Sequence, residues 1–198
     1  MINKLFKSGL IIFLSVALAG CTVIFQKGRR SDLQKIEDLS RQLDELNQAK
    51  GMLEERLSQE IGDNQVKLQM MEKGLVVTVV GDVLFDSGKA QIRQQAKPIV
   101  DKISGVLKES VPELEVGIEG HTDNEPIKQS GWKSNWELSS ARALAVVHYL
   151  TDDCKVKPQR LSANGYGEYR PVAANDNEEN MQKNRRVEIV ILPSKARK

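Results

Sequence analysis

The chain has 198 residues, 40% of them hydrophobic and 28% charged, with a formal net charge of +2. That length suits one domain with flanking segments, and the composition excludes a many-span membrane protein and a disordered acidic chain. The balanced charge lacks the one-sided basic excess of a nucleic-acid binder, and two cysteines, Cys21 and Cys154, are too few for a disulfide framework.

The first segment reads as an address. Lys4 and Lys7 precede an apolar run from Gly9 to Gly20, the pattern of a secretory signal over residues 1–20. The run ends in Leu18-Ala19-Gly20-Cys21, a string that resembles the bacterial lipobox. The resemblance implies cleavage before Cys21, lipidation of its sulfur, and a lipidated linker over residues 21–30. Acyl chains stabilise membrane attachment by about 0.8 kcal/mol per buried CH₂. Thr22 stands where an inner-membrane retention signal carries Asp, so the expected location is the periplasmic face of the outer membrane. A second reading stays open. Gly9 to Phe25 is 17 residues without a formal charge, close to the roughly 20 that span a bilayer, so an uncut anchor helix also fits.

Residues 31–73 predict a helical coiled-coil stalk. Ile36, Leu39, Leu43, Leu46, Leu53 and Leu57 step by threes and fours, with Lys50 interrupting the seam. Such a seam supports a homodimer through residues 31–60. A single amphipathic helix lying on its own domain is the other reading.

From residue 74 the pattern changes. Leu75–Val80 is a β-branched run that predicts a buried strand. Gly81–Gly88 predicts a loop. Ala90–Lys108 predicts a helix, with Pro98 near its start or at a kink. Further strands are predicted at Leu114–Ile118, Arg160–Asn164 and Arg186–Leu192, a helix at Trp136–Leu150, and a short helical or looped piece at Glu178–Asn184. Strands alternating with helices predict an α/β (α+β two-layer) fold, a mixed sheet with helices on one face.

Five motifs lie in order along this part: Leu84-Phe85-Asp86-Ser87-Gly88, Gly120-His121-Thr122-Asp123, Asn135-Trp136-Glu137-Leu138-Ser139-Ser140-Ala141-Arg142-Ala143, Gly165-Tyr166-Gly167-Glu168, and Asn184-Arg185-Arg186-Val187-Glu188-Ile189. Together they resemble the OmpA-like C-terminal domain shared by OmpA, peptidoglycan-associated lipoproteins and the stator protein MotB. The resemblance covers residues 74–193 and leaves a basic tail at 194–198. It implies a β-α-β-α-β domain that binds the diaminopimelate of peptidoglycan stem peptides. That ligand offers an ammonium and a carboxylate on one carbon, so its receptor needs a fixed anion and a planar cation. The family's binding Asp and Arg fall on Asp123 and Arg142. Asn135 matches a pocket-lining asparagine, with a helix N-cap role competing. Arg185 resembles a secondary contact, and Thr122 and Phe85 are weaker candidates. Residues 124–132 form an insert, closer to MotB, that would lengthen the pocket rim.

No catalytic set is expected. His121, His148 and Cys154 lack metal-ligand spacing, and no nucleophile–base pair surrounds Ser87, Ser139 or Ser140. Neither enzyme chemistry nor a metal or cofactor is therefore expected. The leading reading is a lipoprotein that tethers the outer membrane to the wall. The alternative is a MotB-like stator component anchored by an uncleaved helix. Proton conduction needs an acid within the membrane segment, and Gly9–Phe25 contains none.

Overall fold

The computed structural model describes residues 32–128 and 131–193. The signal segment, Cys21, the linker over 21–30 and the 194–198 tail lie outside the described residues. Among those described, no helix is long and apolar enough to cross a membrane. The chain divides into two units, the first ending at Gln42 and the second running from Leu43 to Lys195.

In the first unit the described residues are helical, and Leu33, Ile36 and Leu39 are exposed. They belong to helix α1, residues 32–56. In the second unit Leu43 is exposed, but Leu46, Ala49, Leu53 and Leu57 are fully buried in the domain core. The predicted stalk over 31–73 does not extend through this stretch, which belongs to the domain core. A leucine seam that meets its own domain buries its apolar face there, leaving no free seam after Leu43. Arg56 binds Glu109, and Met52 Sδ accepts from Ser110 Oγ at 2.8 Å, which ties the same stretch to helix α4, Lys97–Glu109.

Nor does the helix run on to residue 73. After a short α2, Ser58–Gly62, the chain enters strand β1, Val66–Met71. Its alternation of Val66, Leu68 and Met70 with Lys67 and Gln69 has a period of two. Over so short a run, Leu68 also fits a continuing helix. Glu72 and Lys73 make a two-residue hairpin turn into β2, Gly74–Val80, with Met71 opposite Gly74. Gly74 has φ +123°, and a side chain there would strike the Ile191 carbonyl.

The sheet has five strands in the order β1-β2-β5-β3-β4. β3 is Val116–His121, β4 is Leu161–Gly165 and β5 is Arg186–Ile191. β3 and β4 run parallel; the other neighbours are antiparallel. The predicted mixed sheet is present, and its core face is built by Leu75, Val77, Val79, Val116, Ile118, Val187, Ile189 and Ile191. The α1 residues from Leu46 onward, α4 and α5 (Asn135–His148) cover that face. At about 1.5–3 kcal/mol per buried aliphatic side chain, this layer dominates the domain's stability.

The predicted helix at 90–108 starts late, at Lys97, after a 3₁₀ turn at Gln94–Ala96. Pro98 occupies the first turn, where its missing N–H costs nothing. The predicted loop at 81–88 contains one helical turn, α3, Gly81–Leu84. At the other end of α4, buried Arg160 donates to the carbonyls of Leu107, Val111 and Leu114 at 3.1, 2.6 and 2.7 Å. One guanidinium thus binds carbonyls of the helix end and the following turn, where Val111 O also accepts from Leu114 N at 3.3 Å. The predicted piece at 178–184 is helix α6, Glu178–Asn184.

Candidate functional site

β3 ends at His121, and the chain turns out of the sheet through Thr122 and Asp123. Helix α5 returns across β3 and β4 in direct backbone contact. A Cβ at Gly120 would collide with the Ser139 carbonyl, so glycine sets how closely α5 approaches. Ser139 Oγ accepts from Gly167 N at 2.9 Å and anchors the loop after β4. The Ser134 side chain caps α5 by accepting from Glu137 N at 3.4 Å. The N-cap role considered for Asn135 therefore falls to its neighbour, and Asn135 is free to face the cleft.

These elements enclose a cleft of about 1050 Å³. It is lined by all six predicted ligand residues: Phe85, Thr122, Asp123, Asn135, Arg142 and Arg185. The sequence places them as much as 100 positions apart (Phe85 to Arg185), and the fold makes them neighbours.

Arg142 is 5% exposed. Its Nε donates to Lys89 O at 3.0 Å and its Nη2 to Asp86 O at 3.4 Å, while the guanidinium lies 5.2 Å from the Phe85 ring centre. Among the described residues no carboxylate is hydrogen-bonded to it. Burial lowers its affinity for a proton, and Asp82 and Asp123 partly offset this, yet a guanidinium stays charged in water-accessible sites. Two of its five donors are used, so about three remain for a ligand.

Asp123 is also buried. Its Oδ2 accepts from Arg185 Nη1 at 2.7 Å and its Oδ1 from Glu125 N at 3.2 Å. An ionised carboxylate has about four acceptor positions, so room remains for a further donor. Thr122 Oγ1 donates to Asp123 O at 2.8 Å, and Asn135 Nδ2 donates to Glu168 Oε2 and Glu125 O at 2.8 and 3.1 Å. Both hold the cleft wall.

Arg185 lines the cleft and is held by carboxylates of the chain itself. Its fork grips Asp82 through Nε at 3.1 Å and Nη2 at 3.0 Å, and the same Nη2 reaches Glu178 Oε1 at 2.6 Å. With Asp123, three carboxylates surround one guanidinium. The Asp82 bond above all raises Arg185 well beyond its ordinary range. Burial opposes ionisation of Asp82, but the Arg185 bonds win and hold that carboxyl below its ordinary value.

Asp82 and Glu178 line the cleft and were missed by sequence reasoning. Asp82 sits where only a loop was expected, and its partner lies 103 positions away, so no local signal could find it. Asn184 was also missed as a positioning residue. Fully buried, it accepts from Val172 N and Ala173 N at 2.8 and 3.1 Å and pins the loop before α6. The insert contributes Glu125, Pro126, Ile127 and Lys128 to the cleft wall, and Trp132 Nε1 donates to Gly88 O at 2.9 Å.

The fold and cleft define a two-layer α/β binding domain built around a buried cation and a buried anion. A model of the OmpA family matches residues 84–185, and the chain belongs to that family. Motility protein B of Bacillus subtilis (strain 168) is 41% identical over 150 residues, which is 76% of this chain and 57% of that protein. The chain thus spans little more than half the length of that relative. Among solved structures, the cell wall anchor of the T6SS from Pseudomonas aeruginosa aligns with TM-score 0.65 and 34% identity, covering 72% of this chain and 97% of that one. The periplasmic domain of Helicobacter pylori MotB aligns with TM-score 0.62 and 28% identity, covering 66% of this chain and 83% of that one.

Proposed function

We propose that this chain is a membrane-anchored protein that holds the peptidoglycan wall non-covalently, by binding the free zwitterionic end of diaminopimelate in stem peptides. The observation that carries the reading is Arg142: a buried guanidinium whose hydrogen bonds go to carbonyls, with donors left over and Asp123 lining the same cleft. The ligand's carboxylate takes the Arg142 donors and its ammonium takes Asp123. Arg185, through its 2.7 Å bond to Oδ2, holds the Asp123 carboxylate in place. Thr122, Asn135 and Phe85 shape the wall, and the 124–132 insert extends the rim. The site binds and releases; it performs no bond-breaking step. The likeness to a cell wall anchor and to MotB periplasmic domains supports the same reading.

For the anchor, the relatives weigh toward the MotB-like alternative, in which an uncut N-terminal helix sits in the inner membrane. The proposal extends to anchoring and not to proton conduction, because Gly9–Phe25 has no acid to carry the proton. The Leu18-Ala19-Gly20-Cys21 string favours the second reading, a lipid on Cys21 and an outer-membrane tether. The exposed Leu33, Ile36, Leu39 and Leu43 offer a short seam for a homodimer in either case.

Titration of the protein with a soluble stem peptide ending in diaminopimelate tests the ligand. Saturable binding that disappears when the ligand's free carboxylate is amidated supports the reading; equal binding of both peptides contradicts it. Mass spectrometry of the mature N-terminus separates the anchors: a diacylated or triacylated Cys21 means lipoprotein, and an intact Met1 means anchor helix.

A further inference from the structure

The sheet face opposite the helices carries a second polar cluster that the cleft does not use. Glu119 on β3 and Glu188 on β5 are directly paired across the strands. His121, two residues along β3, shares their face. Like charges directly opposite one another destabilise a sheet, and here Lys73 intervenes. Its Nζ donates to Glu119 Oε2 at 2.7 Å and to Glu188 Oε2 at 2.8 Å. Arg186 Nε takes the other Glu188 oxygen, Oε1, at 2.7 Å and also donates to the carbonyls of Asn184 and Arg170.

The two cations differ in how firmly they are held. Arg186 is buried within a strand and has backbone acceptors of its own. Lys73 sits in the β1–β2 turn, its side chain is 35% exposed, and its hydrogen bonds among the described residues go to the two carboxylates alone. It can swing out on its flexible stem.

His121 points to what could replace it. The residue is 2% exposed, and neither ring nitrogen has a hydrogen-bond partner among the described residues. Its ring stacks on Tyr166 with centres 5.2 Å apart, which fixes its orientation. A buried imidazole with two idle nitrogens needs an explanation. One ligand atom from each of Glu119, His121 and Glu188 lies within 4.8 Å of the others.

We propose that Glu119, His121 and Glu188 form a site for a divalent transition-metal ion of the Zn²⁺ class, which binds by displacing the Lys73 ammonium. One imidazole with two carboxylates suits such an ion better than Mg²⁺ or Ca²⁺, which favour oxygen-only shells. Bonds of about 2.0–2.2 Å in a tetrahedral shell place ligand atoms about 3.4 Å apart, so the three side chains close by roughly an ångström. The side by which Lys73 enters is left for water as the fourth ligand. Because the ion must expel a bound ammonium, the site is conditional and its affinity is tuned by residue 73. Thr122 and Asp123 follow His121 directly, so an ion here fixes the strand end from which the cleft's anion extends. The spacing of His and Cys along the chain gives no sign of this cluster, because its three side chains come from two paired strands.

The test is calorimetric titration of the full chain, in detergent and freed of metal by chelation, with Zn²⁺. The expected result is one ion per chain, lost in His121→Gln and in the more exposed Glu119→Gln. Lys73→Met should bind more tightly, on the order of tenfold, as expected for a neighbour that tunes a metal site. Circular dichroism confirms that each variant is folded, and His148→Gln, on the exposed end of α5, should leave uptake unchanged. Uptake by neither the wild type nor Lys73→Met overturns the proposal. So does uptake that survives both His121→Gln and Glu119→Gln, or that disappears in His148→Gln.

Discussion

Arg142→Lys isolates the shape of the cation from its charge. Lysine keeps the charge but has one ammonium in place of the fork, and it cannot maintain the Nε bond to Lys89 O and the Nη2 bond to Asp86 O while also presenting two parallel donors. The ligand carboxylate then loses at least one charge-assisted hydrogen bond, worth about 1.5–3 kcal/mol. At about 1.4 kcal/mol per decade, binding of a soluble stem peptide should weaken by roughly 10- to 150-fold. Isothermal titration against that peptide measures it, with the thermal midpoint as the control for folding. The charge is retained, so the salt dependence should change little while affinity falls. Binding within about twofold of wild type, in a variant that melts normally, would refute the role given to the guanidinium fork.

Other outcomes follow from the same contacts. Arg185→Met leaves Asp82, Asp123 and Glu178 facing one another, and should cost on the order of 1–3 kcal/mol in denaturant unfolding as well as weakening peptide binding. An unchanged midpoint would contradict its positioning role. Gly120→Ala drives a methyl group into the Ser139 carbonyl and should destabilise the domain by about 1–3 kcal/mol. His121 has a folded pKa of about 3, set by burial first and then by Arg186, with Glu188 opposing and Lys73 and Arg170 adding to it. A depressed pKa on a base means that the unfolded chain binds the extra proton. Stability should therefore fall as pH drops from about 6.5 toward 3, by at most about 1.4 kcal/mol per pH unit from this group. With chelator present, the His121 ring resonances should not titrate between pH 5 and 8. Leu39→Lys should abolish self-association in sedimentation without moving the melting point, whereas Leu53→Ala should cost about 2–5 kcal/mol in stability because its side chain is in the core.

The part of the molecule with strong local patterning was legible in the sequence. Strands β2, β3, β4 and β5 and helices α5 and α6 lie within a few residues of their expected bounds, because β-branched runs and helical spacing there are long enough to fix a period. The errors arise where two periods compete. Leu46, Leu53 and Leu57 satisfy a heptad and also suit a helix packed on a sheet, and only the tertiary fold decides between them. β1 is six residues long and exposed on most of its length, so its alternation is too brief to outweigh the preceding helical pattern. The cleft shows the same division. Asp123, Arg142 and Arg185 are carried by motifs, but the Asp82 and Glu178 partners of Arg185 are long-range or turn-edge contacts with no sequence mark. The Glu119–His121–Glu188 cluster escaped for a related reason: strand register, not spacing along the chain, brings Glu188 beside Glu119.

Co-sedimentation of the full chain with purified sacculi tests most directly whether Asp123 and Arg142 hold the wall. Wild type should pellet with the sacculi, and both Asp123→Ala and Arg142→Ala, shown to be folded by circular dichroism, should stay in the supernatant. Undiminished pelleting of both variants would place the grip elsewhere and contradict the account.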